Sequence, residues 1–188
     1  MKIGFIGTGS MGSLLIDSFI RFGALQPDQI LVSNRTAHKA LKLADRYPGL
    51  EVSRSNAENA SHSDLLFLCV KPGEFKPVID EISKVMRASQ IAVSITSPVQ
   101  LSHLESELPC KVAKIIPSIT NQTGSGASLC MYGSRIKEKD RLLLESLLSS
   151  ISRPIPVLES HTRITSDFSS CGPAFFELFC GKMGRCRR

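Results

Sequence analysis

Short apolar runs rich in β-branched residues alternate along the chain with longer stretches in which apolar positions recur every three or four residues. Lys2–Ile6 (KIGFI) has the composition of a buried strand. From Met11 onward, Met11, Leu14, Leu15, Phe19 and Phe22 fall at helical spacing, and Gly23 is the expected stop. Gln29–Ser33 is a second strand. Thr36 is the expected N-cap of a helix carrying Ala37, Ala40, Leu41 and Ala44 on one face. Leu50–Ser53 is a third, short strand. Asp64–Val70 (DLLFLCV) is almost continuously apolar, as a strand covered on both faces requires. Phe75, Val78, Ile79, Ile82 and Met86 mark the inward side of a helix, Gln90–Thr96 the next strand, and Leu101, Leu104 and Leu108 another helix. Residues 111–117 and 126–133 are strands separated by a polar loop. Residues 137–151 form a helix with Leu143, Leu144, Leu147, Leu148 and Ile151 apolar, and its carboxylates Asp140 and Glu145 are expected on a solvated face. Residues 153–159 (RPIPVLE) form a last strand, which its prolines confine to a sheet edge.

Strands alternating with helices predict an α/β architecture with a doubly wound, mostly parallel sheet. The expected boundary is at residue 159, with residues 160–188 starting a separate helical segment interrupted at Gly172–Pro173. No apolar run approaches the roughly 18 residues of a membrane-spanning helix. Gly4, Gly7, Gly9 and Gly12 interrupt the start where a signal peptide would be continuously apolar, so the expected location is cytoplasmic. The six cysteines are scattered without C-x-x-C spacing. Cys69 and Cys130, inside apolar runs, are expected to be small buried side chains in a reducing compartment.

The net charge of +6 raises the question of nucleic acid. Lys182, Arg185, Arg187 and Arg188 carry four of those charges, leaving about +2 on residues 1–181. With no Trp and two Tyr there is little for bases to stack on, and no nucleic-acid partner is expected. His38, His62, His103 and His161 have no spacing for a metal or a catalytic pair and are expected at the surface or at caps; no metal is expected.

Gly7, Thr8, Gly9, Ser10, Met11 and Gly12 fit G-x-G-x-x-G, and they join a strand to a helix, the context in which that pattern holds a dinucleotide pyrophosphate. The first glycine allows the tight turn, the second the approach of the pyrophosphate, and the third close packing of helix on strand. The helix N-terminus then offers N–H groups and partial positive charge to the anion. The fold class is therefore α/β, Rossmann-type, with residues 1–159 as an NAD(P)-binding domain. Where an NAD site places an acid at the end of the second strand, this chain has Ser33-Asn34-Arg35-Thr36. Arg35 can pair with a 2′-phosphate, Asn34 and Thr36 can hydrogen-bond it, and the expected cofactor is NADP. Val70-Lys71-Pro72 and Thr96-Ser97 end the next two strands on the same edge, and Ile116–Asn121 follows another, as a nicotinamide-side wall would.

These stretches, IGFIGTGSMG, VSNRT, LLFLCVKP, IIPSITN…GSGASLCMYG and SDFSSCGPAFFELF, taken in order, resemble the pyrroline-5-carboxylate reductase family over nearly all of residues 1–179. SITSPVQL and IPSITN resemble most its late-competence, ComER-type members; most reductases carry an alanine- and glycine-rich version of the first and N-T-P in the second. The resemblance implies NAD(P)H-dependent hydride transfer to a cyclic imine, as in proline biosynthesis, on a small-molecule substrate. It implies cofactor contacts at the glycine loop, at Asn34, Arg35 and Asn56, at Val70, Lys71 and Pro72, and at Thr96 and Ser97. It further implies a C-terminal helical domain that makes the dimer and completes the substrate site. Phe175, Phe176 and Leu178 start such a helix, but CGKMGRCRR does not continue its pattern, so residues 160–188 are expected to be the truncated start of that domain. No catalytic residue is assigned. Two other readings stay open: a non-catalytic NADP-binding regulatory or degenerate member, and a dehydrogenase of the β-hydroxyacid type, which shares the GFIGTGSMG style of opening but not VKP or SCGPAFF.

Overall fold

A computed structural model describes residues 1–167 and Leu178. Eight strands form one sheet in the order β3-β2-β1-β4-β5-β6-β7-β8. They are β1 (Ile3–Ile6), β2 (Ile30–Ser33), β3 (Glu51–Val52), β4 (Leu65–Leu68), β5 (Ile91–Ser94), β6 (Lys111–Ile116), β7 (Ala127–Tyr132) and β8 (Arg153–Pro156). The helices are α1 (Ser10–Arg21), α2 (Ala37–Arg46), α3 (Asn56–His62), α4 (Phe75–Ile82), α5 (Leu101–Glu107), α6 (Glu138–Ser149) and α7 (Thr162–Ser166).

The pairs from β3 through to β6 are parallel, and so is β7 with β8. Only β6 and β7 run antiparallel. The chain between them is short and holds a 3₁₀ turn (Ile119–Thr123) rather than a crossover helix, so the strand returns beside its predecessor in the opposite sense. The doubly wound, mostly parallel sheet expected from the alternating pattern is what forms. The proline-bearing β8 lies at one edge, where its missing N–H groups cost least. No helix among the described residues is long and apolar enough to cross a membrane.

Two apolar layers cover the sheet. On one side Phe5 of β1 and Phe67 of β4 stack at 4.8 Å, with Phe19 of α1 tilted against both. Ile3, Ile30, Val32, Val93, Ile115 and Leu144 extend that layer. On the other, Leu66, Leu68 and Val112 meet Phe75, Ile79 and Ile82 of α4 and Leu104 of α5. Gly23 ends α1 at φ +72° with its N–H on the Ile20 carbonyl, the expected stop.

Some details differ from the pattern. Leu41 and Leu143 are exposed, since each lies just beyond the arc its helix turns to the sheet, and Phe22, which follows the last residue of α1, is exposed as well. Thr36 is the N-cap of α2, but its side chain accepts no capping hydrogen bond. Helix α3 adds to the elements the apolar pattern predicts. The solvated face expected of Asp140 is a correction: Asp140 is buried, its Oδ1 2.7 Å from Lys111 Nζ and its Oδ2 accepting the Lys137 N–H at 3.0 Å. Burial raises the Asp140 pKa, but the Lys111 hydrogen bond and the Lys137 N–H outweigh it and hold the carboxyl below its ordinary 3.8. Glu145 is likewise half-buried and accepts the Tyr132 hydroxyl at 2.9 Å. Cys110 and Cys130 are buried, and desolvation pushes both thiols up to about 11. Cys69, expected to be buried, is half-buried, and desolvation raises its thiol too. Gly172–Pro173, Phe175, Phe176 and the CGKMGRCRR tail lie outside the described residues.

Candidate functional site

The carboxyl ends of β1, β2, β4, β5 and β6 open on one edge of the sheet, as they must when parallel strands are joined by crossover helices. The glycine loop lies at its centre. Gly7 turns at φ +97°, a conformation that suits glycine, and its N–H bonds the Ser33 carbonyl of β2 at 2.8 Å. A Cβ on Gly12 would stand 2.1 Å from the Gly7 carbonyl oxygen, so the missing side chain is what lets α1 seat against the loop. A Cβ on Gly9 would meet nothing within 4 Å. The three glycines thus have the three different surroundings that the motif requires.

Gly9 and Ser10 are exposed and Met11 half-buried. Gly9 is the N-cap of α1 and supplies no side-chain cap, and the first turn holds no acid. The leading N–H groups of a twelve-residue helix therefore face the open space above Gly9, with nothing acidic in the turn to offset their partial charge. Thr8 is 5% exposed, and its hydroxyl has no partner among the described residues. An unsatisfied buried hydroxyl beside uncapped N–H groups is a set of donors suited to a pyrophosphate.

The neighbouring residues fall into two groups. Asn34 is engaged with protein: its Oδ1 accepts the Thr8 N–H at 3.0 Å and its Nδ2 donates to the Thr36 carbonyl at 3.0 Å. It fixes the turn after β2 onto the glycine loop. Asn56, at the start of α3, accepts the Ser33 hydroxyl at 2.8 Å and donates to Glu81 at 2.8 Å, while the buried Asn59 donates to the Phe5 carbonyl and to the Ser33 hydroxyl. These amides brace the ends of β1 and β2 from below. Arg35, Thr36, Lys71, Pro72 and Ser97 are exposed around the opening. Thr96 is buried, and its hydroxyl donates to the Val70 carbonyl at 3.0 Å, tying the β4 and β5 ends together.

Sequence reasoning missed Ser13, whose hydroxyl donates to the Thr8 carbonyl, and the acids Glu74 and Glu81. Glu74 Oε1 stands 2.7 Å from Arg35 Nη1. Nothing in the local pattern marks Glu81, because its partners Asn56 and the Ala57 N–H come from another element. Helix α3 did carry a signal, the S-x-x-E of Ser55–Glu58: the Ser55 hydroxyl accepts the Glu58 N–H at 3.0 Å.

The chain is similar to known proteins in sequence and in fold. ComE operon protein 4 of Bacillus subtilis is 43% identical over 93% of this chain and 64% of its own length. Human pyrroline-5-carboxylate reductase 2 is 33% identical over 93% of this chain and 56% of its own. The chain therefore spans somewhat over half the length of the curated relatives it matches. The crystal structure of a Plasmodium falciparum pyrroline carboxylate reductase with NADP bound superposes with a TM-score of 0.83 at 22% identity, over 97% of this chain and 67% of that one, and shares its fold. Residues 2–98 match the model of the family described as NADP oxidoreductase, coenzyme F420-dependent, and with relatives named as pyrroline-5-carboxylate reductases and ComE operon protein 4, the chain belongs to that family.

Proposed function

We propose that residues 1–159 form the NADP(H)-binding domain of a reductase of the pyrroline-5-carboxylate type, acting in the cytoplasm on a small cyclic imine and not on nucleic acid. The observation that carries this reading is the glycine loop with its open face at Gly9, flanked by Arg35 where a carboxylate would otherwise stand. The NADP-bound reductase of the same fold supports it.

The nicotinamide supplies hydride when bound. The chain's own residues bind and orient it. The Gly9–Gly12 N–H groups and the Thr8 hydroxyl hold the pyrophosphate. Arg35 pairs with the 2′-phosphate, and Thr36 borders it. Asn34 and Asn56 act by holding these turns in place. Val70, Lys71, Pro72, Thr96 and Ser97 line the nicotinamide side, where the Thr96–Val70 hydrogen bond fixes the wall. The described residues supply the dinucleotide side of such a site; none of them is assigned to the imine.

Titration of the full chain with NADPH and NADH, followed by intrinsic nucleotide fluorescence, tests the cofactor. NADPH binds more tightly, and Arg35→Ala weakens it by about 1–3 kcal/mol while leaving NADH nearly unchanged. Equal affinities for the two nucleotides would overturn the assignment of Arg35. Pyrroline-5-carboxylate-dependent oxidation of NADPH tests the reaction. A second reading, a non-catalytic NADP-binding protein, is favoured by the 43% identity to ComE operon protein 4, whose name states no reaction. NADPH binding without imine-dependent oxidation would select it.

A further inference from the structure

Arg35 stands on the turn after β2, and Glu74 on the 3₁₀ turn (Pro72–Glu74) after β4. Strands β2 and β4 flank β1 in the sheet, so the ion pair between them, 2.7 Å from Nη1 to Oε1, crosses the carboxyl end of β1 where the glycine loop lies. The Arg35 side chain is 84% exposed and that of Glu74 38%. Packing does not fix the Arg35 side chain; the attraction of the half-buried Glu74 sets where the guanidinium rests.

We propose that Glu74 is a specificity-determining counter-ligand: it holds Arg35 across the glycine loop and gives it up to the 2′-phosphate of an incoming dinucleotide. The exchange follows from charge. A phosphate monoester carries up to two negative charges and three acceptor oxygens, against one charge and two oxygens on the carboxylate. Exposed ion pairs are weak, so the one between Arg35 and Glu74 is a small barrier that a dianion displaces. The released Glu74 carboxylate, already partly exposed, can turn to solvent. NADH offers a 2′-hydroxyl and does not compete for the guanidinium. Glu74 therefore lowers affinity for NADPH without lowering it for NADH, and narrows the preference that Arg35 creates.

This role rests on the reading of Arg35 as the 2′-phosphate contact, and four proteins separate the two. Dissociation constants for NADPH and NADH are measured by fluorescence on the wild-type chain, Glu74→Gln, Arg35→Ala and the double variant. Glu74→Gln changes one partly exposed side chain isosterically and leaves the fold intact. It is expected to tighten NADPH by about three- to fivefold, the upper range for an exposed pair, and to leave NADH within about 1.5-fold. The gain is expected to vanish when Arg35 is already Ala. Unchanged NADPH affinity in Glu74→Gln overturns the role of Glu74. Equal tightening of both nucleotides also overturns it, since the pair would then obstruct the cleft rather than exchange. So does a gain that persists without Arg35, which would be direct repulsion. If Arg35→Ala leaves the ratio of NADPH to NADH affinity unchanged, the reading of Arg35 itself fails.

Discussion

At the scale of single residues, two glycines of one loop separate stability from binding. Gly12 has no room for a methyl group, because the Gly7 carbonyl oxygen would lie 2.1 Å away. Gly12→Ala must push the loop off α1, and an overpacked contact of this kind costs about 1–3 kcal/mol, more than alanine returns in helix propensity. Gly9 has ordinary backbone angles and open space, so Gly9→Ala leaves the fold within about 0.5 kcal/mol of wild type. In the proposed site its methyl group instead stands where the pyrophosphate approaches, and NADPH affinity is expected to fall by about tenfold or more. Urea unfolding and nucleotide titration of both variants check the pair; a Gly9→Ala protein that binds normally would remove the glycine loop from the site. The spacing of the glycines was legible because the motif is local. The locked amides of Asn34 and Asn56 were not, because an asparagine exposes the same groups to protein or to ligand, and its choice depends on Thr8, Ser33 and Glu81 brought in by folding.

At the scale of elements, the central strands were legible as short, continuously apolar runs buried on both faces, and the longer helices by the period of the one face each buries. Helix α3 was not, since its seven residues NAENASH include no large apolar side chain and reveal themselves only through the cap. Helix α6 was legible as a helix, but not in its polar contacts. Asp140 sits at its third position, reaches back to the Lys137 N–H and outward to Lys111 of β6, and so caps the helix and pins it to the sheet. Asp140→Ala leaves Lys111, whose side chain is 15% exposed, without its partner, and is expected to cost about 3 kcal/mol at pH 7. The pH dependence follows from the lowered pKa. Because the folded value lies below the unfolded one, the ionised Asp140 contributes its full stabilisation above the ordinary 3.8, and that contribution is lost as pH falls through the folded value. The difference between wild type and Asp140→Asn in urea midpoint should therefore shrink steadily below about pH 4. A difference independent of pH would show that the carboxylate's charge contributes nothing.

For the molecule as a whole, the last part of the sheet has to be joined to the segment that leads into α7. Lys114 lies in the middle of β6, 2% exposed among apolar side chains, a position where a lysine survives only with a partner. The partner is Glu159, whose Oε1 stands 2.7 Å from Lys114 Nζ. The same carboxylate accepts the Leu101 N–H that opens α5, at 3.0 and 3.2 Å to its two oxygens. One side chain at the expected boundary thus ties together a central strand, the start of a helix beside the Thr96–Ser97 wall, and the approach to α7. None of this was legible, because Lys114, Glu159 and the Leu101 N–H lie far apart in the chain and only folding brings them together. The two partners are not equivalent. Glu159→Ala leaves a buried ammonium with no counter-charge and a helix N–H without its acceptor, and is expected to cost about 3–5 kcal/mol. Lys114→Met removes the buried charge and fills the same volume, and Glu159, partly exposed, keeps the Leu101 N–H and water. That variant is expected to lie within about 1 kcal/mol of wild type, or above it. Lys114→Met should also rescue most of what Glu159→Ala loses, because no buried charge then remains to be compensated. Urea unfolding of the two single variants and the double variant measures all three. Similar losses in the two single variants would mean that the pair is held for its attraction rather than tolerated for its position.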